Sequence, residues 1–255
     1  YFPMKFWNVS LYNKALTESE INQNYYGGNI ITDDLLLAID AGNPVSYESG
    51  STTAYSLTGS LNSSLVNGTG YSSNNGGTFI FDGSDDYVTQ PYDMSSMSEF
   101  TIEFWAKTYN TGSSSGDANT ALAGPNGGGT YIRTGFSETN SRVSIWFYVN
   151  GNEGNSFESA NIPYSEFDET GYNHYAFTIK DNDSVNIYFN GEVKKSVNIG
   201  SIITTGLSTW YQRWGNYANS YLWDGEIATC KLYDKKLSSN EIQQNYIAHK
   251  ARFSS

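Results

Sequence analysis

The stretch Thr101-Ile-Glu-Phe-Trp-Ala-Lys107 places Ile102, Phe104 and Ala106 on one face and Glu103 and Lys107 on the other. Period two belongs to a strand whose two faces see different surroundings; a helix returns like residues every three or four positions. The alternation recurs at Tyr175, Phe177 and Ile179 against His174, Ala176 and Thr178, and at Val185, Ile187 and Phe189 against Asn186 and Tyr188. Asn190-Gly191 follows, a pair that favours a two-residue hairpin turn, and Glu192 to Val197 returns. Arg142 to Val149 reads as an aromatic-rich strand, and Thr78 to Asp82 and Tyr87 to Thr89 flank the turn Gly83-Ser84-Asp85. Ala228, Cys230 and Leu232 are expected on one side of a last strand. Clusters of Gly, Ser and Asn at 110–120, 124–129 and 150–156 read as loops. Many short strands, frequent turns and almost no helix predict an all-β fold, a two-sheet antiparallel β-sandwich.

Composition narrows the function. The 255 residues hold 14 Lys and Arg against 26 Asp and Glu, a net charge of −12. A surface this acidic repels a phosphate backbone, so nucleic acid is not an expected partner. No stretch approaches the ~20 apolar residues of a membrane span. Aromatics make up 16% of the chain, which argues for a packed core despite the polar bias. A single Cys excludes an internal disulfide and a zinc cluster. The chain opens on Tyr without a signal segment, and reads as a mature or trimmed piece of something longer.

An internal repeat divides the chain. Leu11-Tyr-Asn-Lys-Ala-Leu-Thr-Glu-Ser-Glu-Ile-Asn-Gln-Asn-Tyr25 matches Leu232-Tyr-Asp-Lys-Lys-Leu-Ser-Ser-Asn-Glu-Ile-Gln-Gln-Asn-Tyr246 at nine of fifteen positions, 221 residues apart. Both copies encode a helix start. Ser238 with Glu241, and Thr17 with Glu20, have capping-box spacing; Leu237 with Ile242, and Leu16 with Ile21, have hydrophobic-staple spacing. Each copy therefore predicts a strand, a tight turn and a short helix that closes a domain. The expected organisation is residues 1–28 as the end of a preceding similar domain, or as a segment docking on another subunit, and residues 29–255 as one complete domain.

Several motifs, in order, resemble a laminin-G-like domain of the concanavalin A-like superfamily. They are Leu35-Leu-Leu-Ala-Ile-Asp40-Ala-Gly-Asn-Pro44-Val-Ser-Tyr47; Gly77-Thr-Phe-Ile-Phe-Asp-Gly83 with Asp86-Tyr-Val; Phe100-Thr-Ile-Glu-Phe-Trp105; His174-Tyr-Ala-Phe-Thr; Ile187-Tyr-Phe-Asn-Gly191; and Gly225-Glu-Ile through Asn245-Tyr. The resemblance spans roughly residues 33 to 250, and its first and last pieces look like versions in virion structural proteins of tailed phages. It implies a jelly-roll of two curved antiparallel sheets with a short C-terminal helix, used as a recognition or decoration module on a larger assembly.

Glucanases of this superfamily carry two glutamates around an aspartate on one strand. The nearest match, Glu166-Phe-Asp-Glu169, is followed by Thr170 where the second glutamate is needed, and reads as a solvated acidic loop. His174 starts a strand, His249 falls in a polar C-terminal tail, and Cys230 reads as a buried small hydrophobe, so no nucleophile constellation is assembled. The resemblance also admits a structural Ca2+, with Asp82-Gly-Ser-Asp-Asp86 and Asp181-Asn-Asp183 as sources of hard oxygens, although neither follows the twelve-residue calcium-loop pattern and no ligand set is assigned. No other cofactor is implied. Trp210, Tyr211, Trp214, Trp146 and Tyr148 are candidate glycan-stacking residues, because flat rings cover sugar faces while nearby Asn and Asp bond hydroxyls; a core role competes at Trp105, Trp146 and Trp223. The expected function is a non-catalytic structural or decorating module, extracellular or on a virion surface. Its expected partners are other copies or neighbouring domains; carbohydrate binding is the alternative.

Overall fold

The computed structural model describes residues 15, 30–59, 61–94, 96–109, 119–123, 132–139, 142–151, 154–168, 170–201, 212–217 and 221–253. The segment 1–28, expected as a separate closing piece, lies outside the described residues apart from residue 15.

Eighteen strands, one α-helix and a single 3-10 turn at Asn74–Gly76 are seen among the described residues. In chain order the strands are β1 Leu35–Asp40, β2 Thr53–Tyr55, β3 Asn62–Val66, β4 Gly70–Ser72, β5 Thr78–Asp82, β6 Tyr87–Gln90, β7 Glu99–Thr108, β8 Asn119–Ala123, β9 Ile132–Thr139, β10 Arg142–Gly151, β11 Gly154–Pro163, β12 Asn173–Lys180, β13 Ser184–Phe189, β14 Glu192–Asn198, β15 Gln212–Trp214, β16 Asn216–Tyr217, β17 Tyr221–Leu222 and β18 Asp224–Tyr233. Helix α1 is Ser239–Phe253. One sheet runs β14-β13-β12-β7-β18-β5-β4, with β1 also paired to β18; the second runs β11-β10-β9-β8-β15-β6-β3-β2; β16 and β17 form a separate pair. The expected antiparallel sandwich is what the chain forms, and its central alternation holds. Ile102, Phe104, Ala106, Tyr175, Phe177, Ile179, Val185, Ile187 and Phe189 all enter one core between the sheets.

Two readings need correction. Of the stretches read as loops, residues 150–151 and 154–156 are paired strand, with Gly151 opposite Gly154, and Asn119 and Thr120 open β8, because runs of Gly, Asn and Thr can pair through their backbone without any apolar signal. Ala228 does not share a face with Cys230 and Leu232. The register of β18 against β7 shifts between Ile227 and Thr229, so Ala228 turns to the outer face while Cys230 and Leu232 point inward.

The outer face of the first sheet is covered by helix α1. Glu241 Oε2 accepts from the Ser238 backbone N–H at 2.7 Å, closing the predicted capping box. Leu237 and Ile242 pack with Ala176, Tyr188 and Tyr233. At the far end Phe253 packs with Trp105, Tyr172 and Ala228, and Trp105 lies nearly parallel to Tyr246 with ring centroids 5.6 Å apart. Each such buried side chain contributes roughly 1.5–3 kcal/mol. Arg252 ties the end of the helix down, donating to Asp40 Oδ1 at 2.7 Å and to the carbonyls of Asn75 and Gly77. The apolar surface of the helix thus stabilises a third layer on the sandwich.

Candidate functional site

The β13–β14 turn and helix α1 meet at a cleft of about 470 Å3 lined by Glu166, Glu192, Lys194, Gln243, Tyr246 and Lys250, with Asn190 and Phe189 behind. The turn is built as its sequence predicts: Asn190 and Gly191 have φ of 49° and 80°, the left-handed pair of a tight hairpin. Asn190 is held twice, its N–H donating to His174 O and its Oδ1 accepting from His174 N, both at 2.9 Å. A β-carbon on Gly191 would stand 2.6 Å from Gln243 Oε1 and 2.7 Å from the Tyr246 ring, so the turn lies flush on the helix. Lys194 Nζ bridges Glu166 at 2.7 Å and Glu192 at 2.9 Å. Its bond to Glu166, more than that to Glu192, keeps the ammonium charged above the usual lysine range. Lys250 Nζ lies 5.4 Å from the centre of the Tyr246 ring, which backs onto Trp105. The cleft lining thus brings carboxylates, ammonium groups and an amide together with a Tyr246 ring stacked on Trp105.

Of the aromatic residues singled out from sequence for glycan stacking, only Trp214 has a described side chain, and it does not line this cleft. Trp214 is a correction. It is 1% exposed, in a strand between β6 and β8, with its ring edge-on to Phe104, and offers no face to a sugar. The polar neighbours of β15 disguise a central strand as a loop. Trp210 and Tyr211 lie outside the described residues. Trp146 and Tyr148 stand on β10 opposite Ser159 and Phe157; their side chains are outside what is described. Trp105 and Trp223 are buried, in line with the competing core role. Of the cleft residues, Glu166 alone belongs to a sequence motif with candidate chemistry. No sequence signal joins Glu166 to Lys194 and Gln243, which meet only when hairpin and helix fold together.

Among the described residues, several other carboxylates and both histidines sit in structural roles. Glu103 is fully buried under helix α1 and accepts from Lys231 Nζ at 2.6 Å and Asn245 Nδ2 at 2.8 Å, with His174 Nε2 3.5 Å away. Burial pulls its carboxyl upward, but Lys231 and then His174 hold it well below the usual range. Glu226 accepts hydroxyls from Thr78, Tyr109 and Tyr172. In the loop read as acidic, Phe167 is buried and Asp168 Oδ1 accepts from the N–H groups of Thr170 and Gly171, holding a turn; Glu169 lies outside the described residues. His249, expected in a polar C-terminal tail, is instead helical. It sits on α1 and is 6% exposed, because the helix continues to Phe253 to bury its apolar end. Cys230 is buried, and burial pushes its thiol far up.

The two loops considered for Ca2+ differ. Carboxylate oxygens of Asp82, Asp85 and Asp86 lie within 4.8 Å of one another. Asp86 is 6% exposed; Oδ2 accepts from Asp82 N at 3.1 Å, while Oδ1 is buried without a hydrogen-bond partner. Burial, followed by the charges of Asp82 and Asp85, pushes the Asp86 carboxyl up. A hard cation would relieve that repulsion, and Asp82, Asp85 and Asp86 would hold it, with carbonyls or water completing six to eight oxygens. At the other loop Asp183 Oδ2 is taken by Lys236 Nζ at 2.7 Å, so a cation is already supplied.

A family model described as the concanavalin A-like lectin/glucanases superfamily matches residues 82–243. Domain 4 of AbnA, an extracellular arabinanase of Geobacillus stearothermophilus solved with arabinotriose, superposes with a TM-score of 0.61 at 14% identity, covering 84% of this chain and 98% of that one. The binding domain of Paraclostridial Mosquitocidal Protein 1 gives 0.61 at 14%, covering 84% and 52%. The ligand binding domain of botulinum neurotoxin serotype D, solved with N-acetylneuraminic acid, gives 0.55 at 15%, covering 84% and 50%. This chain therefore spans about half of either toxin domain. At these identities the likeness is one of fold. No curated protein sequence matches.

Proposed function

The chain belongs to the concanavalin A-like lectin/glucanase superfamily, and from that premise we propose that it is a non-catalytic, glycan-binding module displayed on an extracellular assembly, with the cleft between the β13–β14 turn and helix α1 as its binding surface. The observation that carries the reading is the cleft itself: Glu166, Glu192, Lys194, Gln243 and Lys250 line it together with Tyr246, and the turn that forms one wall lies flush against the helix. Sugar hydroxyls both donate and accept, so the Glu166–Lys194–Glu192 chain can bond them without a change of protonation. The carboxylates beside it are engaged by Lys194 rather than arranged as an acid and a nucleophile. Solved relatives in complex with arabinotriose and with N-acetylneuraminic acid support a carbohydrate as the ligand class.

The experiment is a glycan array followed by calorimetry on the full chain. Lys194→Met and Gln243→Ala are expected to weaken binding at least tenfold with the melting temperature unchanged. A blank array, or binding indifferent to both substitutions, overturns the reading. A second reading, a purely structural decoration of a virion, fibre or filament, is favoured by the repeated closing motif. It predicts extended files of modules in images of the native assembly and no glycan binding.

A further inference from the structure

We propose that residues 11–25 are the closing element of a second module of this same fold, one without a closing element of its own, and that the two modules are joined in series through residues 26–30. What the element does is visible in its other copy, residues 232–246. There Tyr233, Leu237 and Ile242 pack on the outer face of the first sheet, Glu241 completes the cap, Asn245 donates to Glu103 and to Tyr233, and Tyr246 stacks on Trp105. Those six side chains recur in the same order as Tyr12, Leu16, Ile21, Glu20, Asn24 and Tyr25. Positions free to vary in a solvent-facing helix do vary: Ser239 and Asn240 are Glu18 and Ser19. Asn245, with no exposed surface, is an improbable residue to keep in a helix unless a buried carboxylate awaits its amide.

The acceptor cannot be an intact copy of residues 30–253. There the groove is filled by its own Leu237, Ile242 and Asn245, exposed by 1%, 0% and 0%. A module that ends before this motif has the groove open. The downstream attachment is also fixed, since the Ile31 N–H donates to Asn245 Oδ1 at 2.7 Å, tying the incoming chain to helix α1. From Tyr25 to Ile31 is six residue steps, at most about 20 Å of extended chain. Successive closing helices would thus lie within that distance, giving a close-packed file of modules. The inference stands apart from the glycan reading.

The test uses a labelled synthetic peptide of residues 8–28 and full-length protein. The peptide is expected to bind a full-length Leu237→Ala/Ile242→Ala/Asn245→Ala variant, which has lost all three of the side chains that fill its groove, at least tenfold more tightly than the unaltered chain, and the Ile21→Asp peptide is expected not to bind. If the variant does not fold alone, recovery of its circular dichroism on adding peptide is the same positive result. No binding and no recovery, or equal binding to the unaltered chain, overturns the proposal. Independently, Leu16→Asp/Ile21→Asp in the full chain is expected to leave the melting temperature within about 2 °C, less than 1 kcal/mol at this size. A fall beyond about 5 °C means the segment packs inside this module, and the proposal fails.

Discussion

Lys231 Nζ lies 2.6 Å from Glu103 Oε1, and both side chains are shut beneath helix α1, 3% and 0% exposed. The pair joins two neighbouring strands and, through Asn245 on Glu103 Oε2, the helix above them. Its stability contribution depends on completeness, because a buried charge that loses its partner keeps its desolvation cost. Glu103→Ala is expected to lose about 3–5 kcal/mol in urea unfolding. Replacing both, Glu103→Leu with Lys231→Met, is expected to recover most of that loss. A double variant as unstable as the single one would show that the charges themselves are needed.

Acid should loosen the same layer. His249 is buried and its ring is pushed down to about 3, first by burial and then by the charge of Lys231, with Arg252 adding to it and Asp40 and Glu103 opposing. The unfolded chain takes up a proton near pH 6.5 that the folded one refuses until about pH 3, so stability is full above 6.5 and falls as pH drops through that window. Glu103 acts in the same direction lower down. Its folded value is depressed, and its contribution, present above the unfolded value, is lost as pH falls through the folded one. Melting temperatures from pH 7 to pH 4 should decline, and His249→Leu should flatten the upper part of that decline. An unchanged slope in the variant would refute the assignment.

How far the sequence could be read follows from where its information sits. The alternation at 101–107 and 174–189, the turn at 190–191 and the cap at 238–241 are local, and each is realised. The strands β8, β9 and β11 are rich in Ser, Thr, Asn and Gly, and are made strands by their neighbours' backbone groups rather than by their own pattern. A single bulge after Ile227 re-aims Ala228, which strict alternation cannot foresee. Trp214 misled for the opposite reason. An aromatic among polar residues looks exposed until the strands on both sides of it are known. The cleft joins residues 166, 194 and 246, and no local pattern encodes that meeting.

Gly191 tests whether the cleft is built rather than incidental. Gly191→Ala adds a β-carbon at φ of 80°, pressed against Gln243 and the Tyr246 ring. Backbone strain of about 1 kcal/mol or more at a left-handed position adds to the displacement of the helix. The variant is expected to melt several degrees lower and to lose glycan affinity more than Lys194→Met does, because it moves one wall against the other. Retention of both properties would mean that turn and helix are not mechanically joined.

Asp86 decides the cation question. A carboxylate with one oxygen buried and unpartnered, crowded by Asp82 and Asp85, is stabilised by any ion that binds the folded state alone. Millimolar Ca2+ is expected to raise the melting temperature by several degrees relative to a chelator; saturation a hundredfold above the dissociation constant corresponds to about 2.7 kcal/mol. Asp86→Asn should abolish that rise. It should also leave the ion-free protein at least as stable as the unaltered one, since the substitution removes the like-charge crowding and the desolvation of a buried charge together. If calorimetry gives no heat with Ca2+ and the melting curve does not move, the three aspartates hold no ion, and the turn at Gly83 is their whole role.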